Sequence, residues 1–126
     1  MLKILFISIA GALGAVSRYG LSSLVHRVMG KNFAWGTLTV NVAGCLIIGF
    51  LFDWMLNADT ISPSLRLALT VGFLGAFTTF SAFSYETLEF ANRGMWGMAG
   101  LNVAANVVLG VFAVVLGLGI GKAVFS

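Results

Sequence analysis

Apolar residues run along this chain in four long blocks, separated at only three places by short clusters of polar and charged side chains. The blocks cover about residues 2–25, 35–56, 65–90 and 95–124. As helices rising about 1.5 Å per residue, each is long enough to cross the roughly 30 Å hydrocarbon core of a bilayer. A helix satisfies its own main-chain N–H and C=O groups in lipid, so the pattern predicts an all-α membrane protein with four transmembrane helices in a single domain, 1–126. The connections, 25–34, 57–64 and 91–94, are too short for a soluble domain. Pro63 stands just ahead of the third block, where a missing N–H costs least, and Trp35, Trp54 and Trp96 fall at block ends, as interfacial anchors do.

Composition agrees with the pattern. Of 126 residues, 60% are hydrophobic and 9% charged, whereas soluble domains are about a quarter charged. The seven Lys and Arg are scattered, with no clustered face for nucleic acid. The first block follows Lys3 without a clear cleavage site and reads as a retained span. Cys45, the single cysteine, lies inside an apolar run and reads as a small buried residue. The lone His26 is far from it, and Asp53, Asp59, Glu86 and Glu89 have no metal-ligand spacing, so no catalytic constellation is visible and an enzyme is not expected.

Charge bears on orientation. Four spans put both termini and the second connection on one side, with Lys3, Arg66 and Lys122 there and Arg27, Lys31 and Arg93 on the other. Three against three leaves the positive-inside rule nothing to act on. The balance predicts insertion in both orientations and an antiparallel, dual-topology homodimer.

The third block holds Gly72-Phe73-Leu74-Gly75-Ala76-Phe77-Thr78-Thr79-Phe80-Ser81-Ala82-Phe83-Ser84, with two glycines and four hydroxyls at membrane depth. Glycine weakens a helix by about 1 kcal/mol relative to alanine, and Ser and Thr can bond main-chain groups released by a local break. The third helix is therefore expected to break near its middle, leaving carbonyl oxygens able to attract a cation. Phe80 and Phe83 are three residues apart and share a helix face. Against this stands a plain packing role, since Phe73, Phe77 and Phe80 also form an i, i+4, i+7 stripe suited to lipid or a neighbouring helix.

Other spans add polar groups at depth. Small residues around Gly11 and Gly14 suit the first helix to close packing, and Arg18 is placed either as an anchor or as a vestibule charge for an anion. Thr37 and Asn41 share a face of the second helix, as do Asn102 and Asn106 of the fourth, beyond which the chain is apolar from Val107 to Gly121. Gly117 and Gly121 suit tight helix contact. Glu89 and Arg93 form an i, i+4 pair, Glu86 lies one turn deeper, and His26 reads as a solvated or headgroup residue and not a ligand. If Asn41, the hydroxyls from Thr78 to Ser84 and Asn106 converge, they line a narrow wet path without charge, suited to a small ion or water.

Taken together, Gly11-Ala-Leu-Gly-Ala-Val-Ser-Arg18, Gly36-Thr-Leu-Thr-Val-Asn41, the stretch from Gly72 to Phe83 and an Asn-bearing fourth helix resemble the Fluc (CrcB) family of bacterial fluoride channels over essentially the whole chain. The resemblance implies an antiparallel dimer conducting fluoride passively out of the cytoplasm, across the bacterial inner membrane, through two pores at its interface. It implies that Phe80 and Phe83 present ring edges to the ion and that Asn41 donates its amide, with Thr79, Ser81 and Asn106 along the same path. It further implies a structural sodium ion (Na+) held by the backbone carbonyls of Gly75 and Thr78 from both subunits. The apolar run after Asn106 departs from the hydroxyls often found on that helix in the family. Two rivals remain: a small multidrug-resistance-type transporter, which needs a glutamate that the first span lacks, and a non-transporting membrane scaffold.

Overall fold

A computed structural model describes residues 1–125. Four helical spans, each long and apolar enough to cross a membrane, make up the molecule: α1 (Leu2–Met29), α2 (Trp35–Asn57), a composite third span over Pro63–Asn92, and the last helix, Trp96–Phe125. Within the third span the elements are α3 (Pro63–Leu67), a π-helical segment (Ala68–Leu74), α4 (Gly75–Phe77) and α5 (Phe80–Asn92); the last helix is α6. Strands are absent among the described residues.

Span ends follow local chemistry. α1 runs four residues past its apolar block, because His26 and Arg27 in its last turn favour the negative end of the helix dipole. It stops at Gly30, whose φ of 87° lets the chain turn away while its N–H still meets the His26 carbonyl at 2.9 Å. α3 starts where the Ser62 hydroxyl accepts the Leu65 N–H at 3.1 Å and Pro63 takes the first helical position.

Two pairs of elements pack backbone to backbone. α6 lies along α2, where side chains on Gly117 and Gly121 would collide with the main chain of Leu46 and Phe50. α1 lies along the π-helical segment, where a Cβ on Gly72 would sit 2.8 Å from the Ile7 carbonyl oxygen. Close approach of this kind replaces the hydrophobic effect as the source of cohesion in lipid, where tails are as apolar as leucine. The buried cluster sits at one end, where Phe33, Leu38, Phe90 and Ala99 pack and Phe33 stacks on Phe90 at 5.8 Å. Much of the outer surface, including Leu13 and Val16 of α1 and Val111, Phe112 and Val115 of α6, is exposed and apolar.

Candidate pore site

The site begins at two extended residues. Thr78 (ψ 157°) and Thr79 (φ −148°, ψ 111°) separate α4 from α5. In an unbroken helix the N–H of Thr79 would go to the Gly75 carbonyl and that of Ala82 to the Thr78 carbonyl. Both donors are diverted to side chains: Thr79 N–H to Asn41 Oδ1 at 2.8 Å, and Ala82 N–H to Thr79 Oγ1 at 3.2 Å. The Ala76 carbonyl, whose helical donor would be Phe80, instead accepts from Arg18 Nε at 3.0 Å. Thr78 bonds back to the Leu74 carbonyl through both its N–H (3.0 Å) and its hydroxyl (2.9 Å).

Asn41 on α2 grips the far side of this turn. Its Nδ2 donates to the Thr79 carbonyl at 3.1 Å and to Asn106 Oδ1 at 3.0 Å, so both amide hydrogens are engaged within the chain. Asn106 donates in turn to the Asn102 carbonyl (2.9 Å) and to Asn102 Oδ1 (3.2 Å). Asn102 is completely buried and donates to Thr87 Oγ1 at 2.9 Å. α5, α2 and α6 are thereby joined by a polar seam in an otherwise apolar bundle.

A cleft of about 260 Å³ opens on this seam, lined by Asn41, Cys45, Thr78, Thr79, Phe80, Phe83, Asn106 and Val107. The Phe80 and Phe83 rings lie 5.4 Å apart at 56°, and Phe80 is 78% exposed, a large apolar surface beside polar groups. The Thr79 and Ser81 hydroxyls are 3.2 Å apart. Phe80 and Ser81 occupy the first turn of α5, where main-chain N–H groups have no helical acceptor and the dipole is positive. No Asp, Glu, Lys or Arg lines the cleft.

A second cavity, about 300 Å³, lies at the end of the bundle and is lined by His26, Lys31, Phe33, Ala34, Glu86, Glu89, Phe90 and Arg93. Glu86 accepts a hydrogen bond from the Thr37 hydroxyl, one turn of α2 from Asn41. Glu89 and Arg93 pair at 3.9 Å on the exposed face. His26, expected as a solvated or headgroup residue, is half-buried and lines this cavity, with Nδ1 buried and the ring in the space that the absent Gly36 side chain leaves open.

Asn41, Thr78, Thr79, Phe80, Phe83 and Asn106 thus meet in one cleft, with Ser81 joined to it through Thr79. Gly75 lies on the α4 side of the break, and Arg18 bonds the Ala76 carbonyl; neither lines the cleft. The phenylalanine stripe divides here, since Phe73 and Phe77 stack at 5.6 Å and Phe77 is buried, whereas Phe80 is turned outward. Asn102 and Thr87 went unassigned in the sequence, although Asn102 shares a face with Asn106 and Thr87 lies two turns from Thr79. Groups of three or more His, Cys, Asp or Glu able to hold a metal are absent among the described residues.

Comparison with known proteins places these features in a family. Residues 5–118 match the family model described as CrcB-like protein, Camphor Resistance (CrcB). A "Fluoride-specific ion channel FluC" of Dehalococcoides mccartyi is 49% identical over 120 residues, covering 95% of this chain and 92% of the relative. Proteins of the same name from Nitratidesulfovibrio vulgaris and Geobacter sulfurreducens are 44% and 49% identical, covering 98% and 86% of this chain and 100% and 88% of their own lengths. With four apolar membrane-spanning helices and a match over nearly its whole length, this multi-pass membrane protein belongs to the CrcB family.

Proposed function

We propose that the protein is a fluoride-selective channel of the bacterial inner membrane that lets fluoride leave the cytoplasm passively and so lowers its toxicity. The observation that carries this reading is the neutral donor set of the cleft: hydroxyls, first-turn N–H groups and phenylalanine rings, with no charged side chain. A dehydrating fluoride exchanges water for O–H and N–H donors and for the positive edges of the Phe80 and Phe83 rings. Without a fixed cation in the cleft the ion is not trapped there. Asn41 joins this set by yielding one of the two hydrogen bonds its amide makes within the chain. The name of the relatives, fluoride-specific ion channel, supports the choice of anion.

The working unit is an antiparallel homodimer. Balanced loop charges and the outward Phe80 beside the cleft support this, since a second copy would cover that ring. A structural sodium fits the break, because the carbonyls of Gly75 and Thr78 lose their helical donors to side chains. When bound, sodium supplies a fixed positive charge to these oxygens. Arg18, held on the neighbouring Ala76 carbonyl, keeps that oxygen from competing and places positive charge near the vestibule.

Anion efflux from liposomes holding the purified protein tests the reading, with a fluoride electrode and then a chloride electrode under equal conditions. Fast fluoride loss with little chloride loss is expected, and Phe80→Ile and Phe83→Ile should each slow it. Absence of flux from a folded dimer would favour a scaffold. Dependence of flux on sodium, tested by replacing it with a bulky organic cation, checks the metal separately.

A further inference from the structure

The amides of the seam are all hydrogen-bonded in one sense, and main-chain groups dictate that sense. Thr79 N–H can only donate, so the atom of Asn41 facing it at 2.8 Å is the oxygen. The nitrogen of Asn41 must then face the Thr79 carbonyl and Asn106, which presents its oxygen. Asn106 nitrogen is left for the Asn102 carbonyl, a pure acceptor, and for Asn102 Oδ1. Asn102 therefore turns its nitrogen to Thr87, whose hydroxyl donates to the Phe83 carbonyl at 2.8 Å. The chain starts at the main-chain N–H of Thr79, just ahead of α5, and ends at the Phe83 carbonyl within α5, crossing α2 and α6 between them.

We propose that Asn102 and Thr87 are positioning residues that brace the Asn106 carboxamide, and through it that of Asn41, in the orientation the main-chain groups of Thr79 and Asn102 select. This rests on the fluoride-channel reading of the cleft. A carboxamide can present either its N–H₂ or its oxygen, and the two favour opposite ion charges. Thr79 pins Asn41 from one end, and Asn106, which borders the cleft, is held between Asn41 Nδ2 and the main-chain carbonyl and Oδ1 of Asn102. Asn102 is completely buried, so its own orientation is set by protein partners and not by water. Neither Thr87 nor Asn102 lines the cleft; both act through the amides that do.

The test compares Thr87→Val, Asn102→Leu and the double variant as folded protein in lipid, using two readouts. In fluoride efflux, loss of one interhelical hydrogen bond should cost Thr87→Val about threefold and loss of the central amide should cost Asn102→Leu about tenfold, with more chloride leak in both. The double variant should match Asn102→Leu alone, because the links act in series. In NMR of the side-chain amides, Thr87→Val should move the Asn106 and Asn41 signals although Thr87 touches neither. Unmoved Asn106 and Asn41 signals, or flux losses that multiply in the double variant, would overturn the proposal. If the wild-type protein passes no fluoride, the channel reading falls, while the amide signals still decide whether the brace exists.

Discussion

The third and fourth spans are each 30 residues long, yet one is divided into four elements and the other is a single helix. Glycine does not account for the difference. α6 contains six glycines, at 97, 100, 110, 117, 119 and 121, and stays continuous, whereas the third span has only Gly72 and Gly75. Opening a helix in lipid leaves main-chain donors and acceptors that cost several kcal/mol each unless something else satisfies them. In α6 no main-chain N–H among the described residues is taken by a side chain, and Gly117 and Gly121 serve to bring α2 close. In the third span Asn41 and Thr79 take the donors, and Arg18 takes one acceptor. Helix breaks in membranes follow from rival partners more than from weak propensity.

The largest test of this contrast removes the principal rival. Asn41→Asp keeps an oxygen for the Thr79 N–H but loses both donated hydrogen bonds and puts negative charge in the proposed path of the anion. An uncompensated buried charge costs about 3–5 kcal/mol, so fluoride efflux should fall on the order of a thousandfold, to the level of protein-free liposomes. Robust flux through a folded Asn41→Asp dimer would remove Asn41 from the path. The corresponding change in α6 has the opposite signature. Gly117→Leu forces a side chain into the Leu46 and Phe50 backbone, so stability should fall by about 2–3 kcal/mol in a reversible unfolding assay in detergent, with unchanged fluoride-over-chloride selectivity in whatever protein folds.

Legibility in the sequence divides along the same line. Four spans were visible because lipid demands apolar residues along the whole length of each, and the Gly117 and Gly121 contact was visible because only small residues allow it. Periodicity placed Asn41 on the face of Thr37, and Asn106 on that of Asn102, but it could not say which main-chain groups they would reach. Asn41 bonds residues 38 and 65 positions away, and Arg18 bonds one 58 positions away. Such pairings depend on how helices rotate and slide against one another, which no single helix encodes. The seat of His26 was hidden for the same reason, since its half-buried ring lies where Gly36, on another helix, has no side chain.

A smaller effect sharpens the role of Thr79 in the break. Thr79→Ala removes the hydroxyl that caps α5 through Ala82 N–H, a change typically worth about 1 kcal/mol. That N–H then becomes free to return to the Thr78 carbonyl and extend α5 backwards. Fluoride flux should drop about fivefold, and the sodium concentration giving half-maximal flux should rise, because one of the two candidate carbonyl ligands is recaptured. Thr79→Ser, which keeps the oxygen, should restore most of both. A Thr79→Ala protein with an unshifted sodium midpoint would separate the cap from the proposed cation site.

The smallest expected effect belongs to the charged end of the bundle. Glu89 and Arg93 approach to 3.9 Å on an exposed helix face, with side chains 43% and 68% accessible. Exposed i, i+4 pairs are worth about 0.3–0.5 kcal/mol and are screened by salt, so Glu89→Gln should leave stability nearly unchanged. The two neighbouring charges at the same cavity, Lys31 and Glu86, differ in their surroundings, since Glu86 is bonded to Thr37, one turn of α2 from Asn41. Neutralising Glu89 removes a negative charge from this cavity, which the channel reading makes the mouth of the path, without touching that bond, and should raise fluoride efflux slightly, by less than about twofold, at low ionic strength only. An increase that persists in high salt would mean that Glu89 contacts the ion path directly and not through the field at its mouth.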